Sequence, residues 1–311
     1  MSRNAYIAKI NTVMNYINRH LNREMSLVEL SEIAHYSPFH FHRIFKSVVG
    51  ESPSDFIHRV RIEKAANLLL HQHRHPVTEI AMNCGFSSPS VFARAFKAHF
   101  GISATSYRRQ FRNNCKLPSN PGKVPQGLTA YNEVEPASAG TPFLRVEITP
   151  LPAYRVAYHR HFVGYEKGVF NPDIYVSFRK VEQWLASKNL FSQDTVCMGI
   201  TYDNPDITAQ ERCRYDTAFT LPVDVDHTEA SEEIGIQTID EGLYAVCRVQ
   251  GEDMEEAVNK LGETVDYLYG TWLQNSIFQL ADKPCLELYC HDKRLDGGHY
   301  AIDYCLPLLP N

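Results

Sequence analysis

Two short helices joined by a tight turn are predicted twice before residue 112 of this 311-residue chain. In the second unit, about residues 76–101, Gly85 supplies the positive φ that a sharp turn between helices requires. Ser88 can cap the helix that follows, and Pro89 suits its first position. The first unit, about residues 26–50, repeats the pattern at an offset of 50 to 51 residues. The matched residues are Phe41, Arg43, Phe45, Lys46, Gly50 and Ser52 with Phe92, Arg94, Phe96, Lys97, Gly101 and Ser103.

Further helices are predicted around these two units. Apolar spacing predicts a first helix over residues 5–22, and Ser26 with Glu29 forms a capping box for the second. A long helix is predicted from Pro53 to about Leu70, which would join the two units, and a last short helix covers about residues 104–111. We therefore predict an all-α domain over residues 1–112, with two helix-turn-helix units joined by a long helix.

Charge is divided unevenly along the chain. Residues 1–116 carry 16 Lys and Arg against 7 Asp and Glu, whereas the remaining residues carry 15 against 29. A basic N-terminal half beside an acidic C-terminal half predicts that only the first half binds a polyanion. A helix-turn-helix unit places its second helix in the DNA major groove, so the expected polyanion is double-stranded DNA.

The N-terminal region resembles the DNA-binding domain of the AraC/XylS family of bacterial transcription regulators. This resemblance implies a sequence-specific regulator that binds promoter sites, with RNA polymerase as a partner. Two tandem units can fill successive major-groove segments, so a monomer or weak dimer is expected. The sequence departs from the family at His35, which stands where a turn glycine is usual, and after Ser103, where a proline is usual. The residues that carry the resemblance are Gly85-Phe86, Ser90, Phe92, Arg94, Phe96-Lys97, Gly101 and Tyr107-Arg108.

Candidate DNA contacts follow from position on the two recognition helices, whose N-terminal residues enter the groove deepest. Arginine can bond guanine at two atoms, and an apolar side chain can touch a thymine methyl. Lysines one turn further on are better placed for phosphate. The alternative is that these basic side chains are only solvated residues on a helix surface. The candidates are Phe39, His40, His42, Arg43 and Lys46 in the first unit, and Pro89, Ser90, Val91, Arg94 and Lys97 in the second.

Residues 113–142 lack apolar periodicity and are rich in Asn, Pro, Gly and Ser, so they are predicted to be a linker. From residue 143, alternating strands and two helices predict an α+β domain that extends to residue 311. Tyr154 to Ala157 matches Tyr244 to Cys247 at an offset of 90, and Trp184-Leu185 matches Trp272-Leu273 at 88. The domain is therefore predicted to be a duplicated β-α-β-β-type module.

This half resembles the GyrI-like effector-binding domain found in multidrug-responsive and Rob-type regulators. The resemblance implies a ligand cleft between the repeats and a small, cationic or amphipathic effector. The ligand-binding residues that it implies are Tyr165, Trp272, Glu287 and Tyr289. Strand alternation independently places Glu287 and Tyr289 on one face. The matching residues include Leu151-Pro152, Gly164-Tyr165, Asp203-Asn204-Pro205, Arg214-Tyr215-Asp216 and Leu286-Glu287-Leu288-Tyr289.

Plainer interpretations stay open at several of these positions. The alternative for Trp272 is that it fills a core, and the alternative for Glu287 is that it faces solvent on an edge strand. Arg214 and Asp216 are predicted to form a structural ion pair. Gln250-Gly251-Glu252-Asp253 departs from the family at one rim of the expected cleft.

Two other function classes remain as alternatives: a C-terminal enzyme that hydrolyses a small reactive compound, and a protein-binding module. No catalytic residue set, cofactor or metal site is predicted. His71 and His75 are four residues apart, but Pro76 favours a helix end there, and the eight cysteines show no paired spacing. We find no membrane-spanning run or signal peptide and expect a cytoplasmic protein that is not an enzyme.

Overall fold

The computed structural model describes residues 3–72, 75–113, 144–161, 167–169, 171–222, 225, 231, 233–290 and 300–309. The predicted linker, apart from Asn113, and Tyr165 lie outside the described residues. Within the described ranges, no helix is long and apolar enough to cross a membrane.

The N-terminal half is helical, as predicted. The first helix-turn-helix unit consists of α2 and α3, the second of α5 and α6, and the long helix α4 connects them. The helices are α1 (Arg3–Arg19), α2 (Leu27–Ile33), α3 (Pro38–Val49), α4 (Pro53–His71), α5 (Val77–Asn83), α6 (Pro89–Phe100) and α7 (Ala104–Asn113).

The turns explain why the two units have the same shape despite different residues. Gly85 has a φ of 83°, and a side chain there would overlap the carbonyl oxygen of Leu21. His35 takes the equivalent left-handed conformation in the first unit, with a φ of 56°. A non-glycine residue pays for this conformation in strain, but the fold of the first turn is retained.

Capping residues fix the helix ends. The hydroxyl oxygens of Ser26 and Ser88 accept bonds from the backbone N–H of Glu29 and Val91. Gly50 and Gly101 end the two recognition helices in left-handed conformations. These local signals agree with the predicted helix boundaries.

The C-terminal half combines one antiparallel sheet with two long helices. Its elements are β1 (Val146–Leu151), β2 (Tyr154–His161), α8 (Pro172–Ser187), β3 (Cys197–Thr201), β4 (Tyr215–Thr220), β5 (Gly235–Ile239), β6 (Gly242–Gly251), α9 (Met254–Tyr267), a π-helical turn (Leu268–Trp272), α10 (Leu273–Asn275), β7 (Gln279–Leu280), β8 (Cys285–Cys290) and β9 (Tyr300–Leu309). The strands are ordered β1-β6-β9-β8-β3-β4-β2-β5, and β7 pairs with β9.

Two strands, one helix and two strands therefore occur in succession twice: β1, β2, α8, β3 and β4, then β5, β6, α9, β8 and β9. The strand order is symmetric about the β8–β3 pair, since each strand of the first set has its counterpart at the same distance on the other side. The two-residue strand β7 and the π-helical turn have no counterpart among the elements described in the first set.

The two helices cover one face of the sheet. Helix α8 packs on β2 and β4, whereas α9 packs on β6 and β9. The opposite face forms a separate apolar cluster to which both edge strands contribute, through Leu151 of β1 and Ile239 of β5. Because residues from both edges reach one cluster, the sheet is curled. Strands β3 and β8 lie at its centre, between the two helices.

The helical half packs against this sheet domain through α1 and α4. On α1, Asn15 contacts Tyr158 and Arg160, and Asn18 accepts a bond of 2.7 Å from Arg214. Directly after α4, its C-cap residue Gln72 donates to the carbonyl oxygen of Leu280, and Lys64 of α4 pairs with Asp282 at 2.5 Å. Helix α4 thus contacts both helix-turn-helix units and the sheet domain.

Candidate DNA-binding surface and ligand site

The first recognition helix, α3, has a buried aromatic face and an exposed polar face. Phe41 and Phe45 are fully buried in the core of the first unit. Phe39, at the second position of the helix, is 81% exposed. His42 and Arg43 are also exposed, and Lys46 follows one turn further on. The exposed residues are the ones that the sequence places toward DNA.

His40 differs from the other candidates on α3. Its ring is half-buried and lies 5.0 Å from the ring of Tyr36 and 6.0 Å from that of Tyr6. These edge contacts hold His40 against the body of the first unit. A DNA contact by His40 therefore stays a prediction, with less support than the exposed residues beside it.

The second recognition helix, α6, repeats this arrangement. Phe92, Phe96 and Phe100 are buried, and each ring lies about 5 Å from the next. The residues that face away from the core are Pro89, Ser90, Val91, Arg94 and Lys97, all of them exposed. The two matched arginines thus occupy equivalent exposed positions, each the sixth residue of a twelve-residue helix.

Glu287 lies in the centre of the sheet and is buried. Strand β8 pairs with β3 on one side and β9 on the other, and Glu287 is only 2% exposed. The alternative of a solvent-facing residue on an edge strand is therefore wrong. Leu286 and Leu288 belong to the cluster on the opposite face, so the predicted alternation is confirmed.

Two tyrosine hydroxyls hold the Glu287 carboxyl group. Tyr215 of β4 donates to Oε2 at 2.6 Å, and Tyr289 donates to the same atom at 2.9 Å. Burial, and then the Glu287 charge, raise the pKa of Tyr289 well above its usual value. Tyr289 therefore remains a hydrogen-bond donor at any physiological pH.

A glycine makes room for this arrangement. Gly199 of β3 lies directly opposite Glu287 in the strand register, and a side chain there would overlap the Tyr215 hydroxyl. The ring of Tyr215 therefore lies over β3. We call Gly199, Tyr215, Glu287 and Tyr289 the central site.

Aromatic side chains from the helices flank the central site. The ring of Phe178 on α8 meets that of Tyr289 edge-on at 5.2 Å. On the α9 side, the Tyr269 hydroxyl lies 3.2 Å from Sγ of Cys285, which is two residues before Glu287 on the same face. A buried carboxylate surrounded by aromatic rings is suited to a cation, because the rings add cation–π attraction.

Sequence reasoning missed Tyr215, Gly199 and Tyr269. A signal was present for one of them, because a glycine inside a buried strand commonly marks a close approach, and Gly199 stands between the buried residues Met198 and Ile200. The structure places Trp272 half-buried and stacked on Phe278 at 6.3 Å, beside the core between α9 and the sheet. This packing supports the core-filling interpretation, and a ligand contact by Trp272 stays a prediction.

The predicted ion pair between Arg214 and Asp216 is wrong. Asp216 pairs with Arg160 at 2.7 Å, because these residues face each other directly across β4 and β2. Arg214 precedes β4 and pairs with Asp203 at 2.6 Å. Cross-strand neighbours lie closer together than residues two apart on one strand, so register decided the partner.

The described part of the chain contains no group of three or more His, Cys, Asp or Glu that could hold a metal ion. Burial raises the pKa of the Cys84 thiol to about 12 and also raises those of Cys197 and Cys213. These thiols are therefore protonated at neutral pH, so they are poor nucleophiles.

Fold and site together define a protein with a helix-turn-helix DNA-binding domain followed by a sheet domain with a buried acidic site. Comparison with known families agrees. The family described as GyrI-like small molecule binding domain matches residues 145–309, and the family described as helix-turn-helix domain matches residues 30–110.

The relatives divide between the two halves. The DNA gyrase inhibitor of Escherichia fergusonii is 33% identical over 153 residues, which are 48% of this chain and 89% of that protein. The probable transcriptional regulator LumQ of Photobacterium leiognathi is 36% identical over 104 residues, which are 33% of this chain but only 42% of LumQ. The DNA-binding domain of AdpA, solved with a target DNA, is 29% identical and has a TM-score of 0.32, covering 33% of this chain and 93% of that one.

The family match to residues 145–309 spans more than half of the chain. The chain belongs to the GyrI-like family, and its N-terminal half is an AraC-type helix-turn-helix domain.

Proposed function

We propose that this protein is a sequence-specific transcription regulator whose GyrI-like domain binds a small cationic or amphipathic effector at the central site. The observation that carries the proposal is the presence, in one chain, of two outward-facing recognition helices and one buried carboxyl group among aromatic rings. Relatives that are named as transcriptional regulators support it. Promoter DNA, the effector and RNA polymerase are the proposed partners.

DNA recognition is tested by selecting bound sequences from a random duplex pool with the full chain. Two units on one chain should select two motifs about one helical turn apart, and the salt dependence should be steep because phosphate contacts release counterions. Tetraphenylphosphonium, a hydrophobic cation, is then added during selection. A pool with no enriched motif would contradict sequence-specific binding.

The effector class is tested by Glu287→Gln, which keeps the side-chain shape but removes the charge. Calorimetry on the full chain would compare tetraphenylphosphonium with neutral triphenylphosphine oxide. The variant should lose at least about tenfold in affinity for the cation, equivalent to ~1.4 kcal/mol, and little for the neutral compound. Glu182→Gln is the control, because Glu182 is a 40% exposed carboxylate on α8 that pairs with Arg179.

Equal losses for both compounds in Glu287→Gln would mean that the substitution changes shape and that the site does not select charge. Unchanged affinity for both would place the ligand elsewhere. The contributions of Tyr165, Trp272 and Tyr289 can be compared in the same assay.

A protein-binding role is a second candidate, favoured by one specific finding. The relatives that align with the C-terminal half over most of their own length are named DNA gyrase inhibitors. A supercoiling assay with purified gyrase decides whether this chain inhibits the enzyme. Dose-dependent inhibition by the full chain would support it, and none at a large molar excess would exclude it.

We further propose that the protein is not an enzyme, that it acts in the cytoplasm as a monomer or weak dimer, and that its domains span residues 1–112 and 143–311. The symmetric strand order supports a duplicated module in the second domain. Incubation of the full chain with reactive small electrophiles would detect hydrolysis, the alternative activity, and sedimentation with and without DNA measures the oligomeric state.

A further inference from the structure

One short segment of the sheet domain enters the helical domain. Residues 203–208 follow β3, and Ile207 in this segment is 1% exposed. Ile207 belongs to the apolar core of the second helix-turn-helix unit, where the cluster includes Leu69 of α4, Phe96 of α6 and Tyr107 of α7. The core of the second unit is thus completed by a residue from the effector domain. We call residues 203–208 the interdomain segment.

Polar contacts fix the interdomain segment on α4. Thr208 is also 1% exposed, and its hydroxyl donates to Glu63 Oε2 at 3.0 Å. The Asn204 amide donates to Asn67 Oδ1 at 3.1 Å. Glu63 and Asn67 are four residues apart and therefore lie on one face of α4.

The segment is itself a tight turn. The backbone N–H groups of Ile207 and Thr208 both donate to the carbonyl oxygen of Asn204, at 2.9 and 2.8 Å. The Asn204 side chain also accepts a bond from the backbone N–H of Asp206 at 2.9 Å. A segment closed by its own hydrogen bonds moves as a unit.

The first end of the segment connects to the central site. Asp203 accepts bonds from the guanidinium of Arg214 at 2.6 and 2.7 Å and from its backbone N–H at 2.8 Å. The next residue is Tyr215, which donates to Glu287. A displacement of Tyr215 therefore acts on Asp203 through one peptide unit and three hydrogen bonds.

Asp206, further along the segment, connects to α9, one of the two helices on either side of the site. The Lys167 ammonium group lies 2.6 Å from Asp206 and 2.6 Å from Asp266 of α9. Beside it, a side chain at Gly168 would come within 2.7 Å of Cα of Gly262 on α9, so these two backbones are in close contact. A movement of α9 is therefore transmitted to Asp206, just as a movement of Tyr215 is transmitted to Asp203.

We propose that the interdomain segment couples the state of the central site to the packing of the second helix-turn-helix unit. The first unit would be affected less, because every apolar side chain of its core cluster, as described, comes from the helical half. The sheet domain reaches that cluster through a charged group, the Arg214 guanidinium, which lies 5.7 Å from the ring of Phe56. A change at the central site shifts a population of conformations only if the site and the segment are energetically linked, and the two ends of the segment supply that link. As a means of effector response, the inference rests on the proposed function.

A second connection between the site and α4 exists and must be distinguished. The ring of His71 at the end of α4 lies 5.0 Å from that of Tyr269, whose hydroxyl contacts Cys285. This route does not pass through residues 203–208. The contact of the Arg214 guanidinium with the ring of Phe56 on α4, at 5.7 Å, does not pass through them either. A substitution at Asp203 therefore separates the segment from these other connections, because it weakens the bonds from Arg214 to the segment.

The test needs neither an effector nor an operator, so a wrong ligand class cannot be confused with failure of this coupling. Gly199→Ala displaces the Tyr215 hydroxyl, and Tyr215→Phe removes it with little risk to folding. Each is made in the full chain, alone and with Asp203→Asn, which keeps the shape of the carboxyl group but weakens its pairing with Arg214. Glu182→Gln, on an exposed surface of α8, is the control. Amide hydrogen exchange of α5 and α6 is measured, with α2 and α3 as the internal reference.

We expect exchange in α5 and α6 to become about fivefold faster in the site variants, the lower end of measured coupling between sites, with α2 and α3 changed by less than half of that factor. In the Asp203→Asn background, each site substitution should change exchange by under about twofold, and Glu182→Gln should show no response. Unchanged exchange in α5 and α6 in both site variants would overturn the coupling. A response that stays equally large in the Asp203→Asn background would also overturn it and would favour the His71–Tyr269 route or the contact of Arg214 with Phe56.

Discussion

Ile207→Ala should destabilise the helix-turn-helix unit that lies more than a hundred residues earlier in the sequence. Ile207 is 1% exposed and contributes to the core formed by α4, α5, α6 and α7. The substitution leaves the backbone and every polar contact of residues 203–208 in place. It therefore asks one question, which is how much the second unit depends on an apolar side chain from the other domain.

The magnitude follows from burial. Truncation to alanine removes three carbon atoms, which at about 0.8 kcal/mol per buried methylene gives ~2.4 kcal/mol. The surroundings relax only partly around the resulting cavity, and measured Ile-to-Ala changes in cores cost about 2–5 kcal/mol. We expect a loss near the middle of that range, about 3 kcal/mol, because aromatic rings that contact one another on α6 and α7 cannot easily move into the space.

The assay is urea unfolding of the full chain combined with amide exchange resolved by helix. Ile277→Ala is a matched control, because Ile277 is the same residue type in the same domain but is 69% exposed. It should change the free energy of unfolding by less than about 0.5 kcal/mol. In Ile207→Ala, the loss should appear as faster exchange in α5 and α6.

If Ile207→Ala and Ile277→Ala cost the same, the side chain of Ile207 contributes nothing special to the core of the second unit. If Ile207→Ala is costly but the faster exchange is confined to the sheet domain, its stabilising contacts lie there instead. Either result would contradict the assignment of Ile207 to the DNA-binding domain core.

Three further outcomes follow from the structure. Arg43→Ala and Arg94→Ala should each weaken specific DNA binding by about 1–3 kcal/mol and relax selectivity at different base positions. Fluorescence anisotropy with single-base variants of the selected site measures both effects, and unchanged affinity and selectivity would show that the arginine is only a solvated surface residue. Lys46→Ala and Lys97→Ala should weaken binding to all sequences and reduce the salt slope by about one each, and a sequence-dependent loss would instead indicate base contact. Burial raises the pKa of Glu63 to about 7, so the free energy of unfolding should fall as pH rises from about 5 to 7, by up to ~1.4 kcal/mol per pH unit. This pH dependence should disappear in Glu63→Gln, and an equal dependence in that variant would refute its assignment to Glu63.

The sequence predicted the helical half well because its signals are local. Ser26, Ser88, Gly50 and Gly101 set helix ends by contacts within one turn, and the structure shows each in its capping role. The left-handed conformation of His35 was implied only by its match to Gly85 in the repeat. Local chemistry and the repeat together were enough for element type, but the first helix, predicted over residues 5–22, spans Arg3–Arg19 and so ends three residues earlier.

The central site was only partly predictable. Alternation along one strand placed Glu287 and Tyr289 on a common face, which is information that a single segment contains. Tyr215 lies on a different strand, and its contact with Glu287 depends on the order β8, β3, β4 and on the absence of a side chain at Gly199. The order of strands in a sheet is not a local property, so the sequence predicted Glu287 and Tyr289 as site residues but not Tyr215.

The partner of Arg214 shows the same limit. Two oppositely charged residues two positions apart indicate an ion pair only if neither has a closer partner. The strand register places Arg160 beside Asp216, and the loop residue Asp203 pairs with Arg214. These two buried pairs lie where the sheet domain meets α1, through bonds to Asn15 and Asn18. The long-range contacts that the sequence could not predict are therefore the ones that join the domains.

The two helix-turn-helix units, alike in sequence, depend differently on the rest of the chain. The first meets the sheet domain through polar side chains of α1 and through the Arg214 guanidinium over the ring of Phe56, and every apolar side chain of its cluster, as described, comes from the helical half. The second has Ile207 inside its core and Thr208 bonded to α4.

A fragment that ends at the linker would keep the basic charge that dominates non-specific DNA affinity, but its second unit would lack a buried side chain. Because α4 connects the units, a loosened second core also loosens the spacing between the recognition helices. We therefore expect residues 1–116 alone to retain affinity for the DNA phosphates but to lose part of the selectivity for a two-part site.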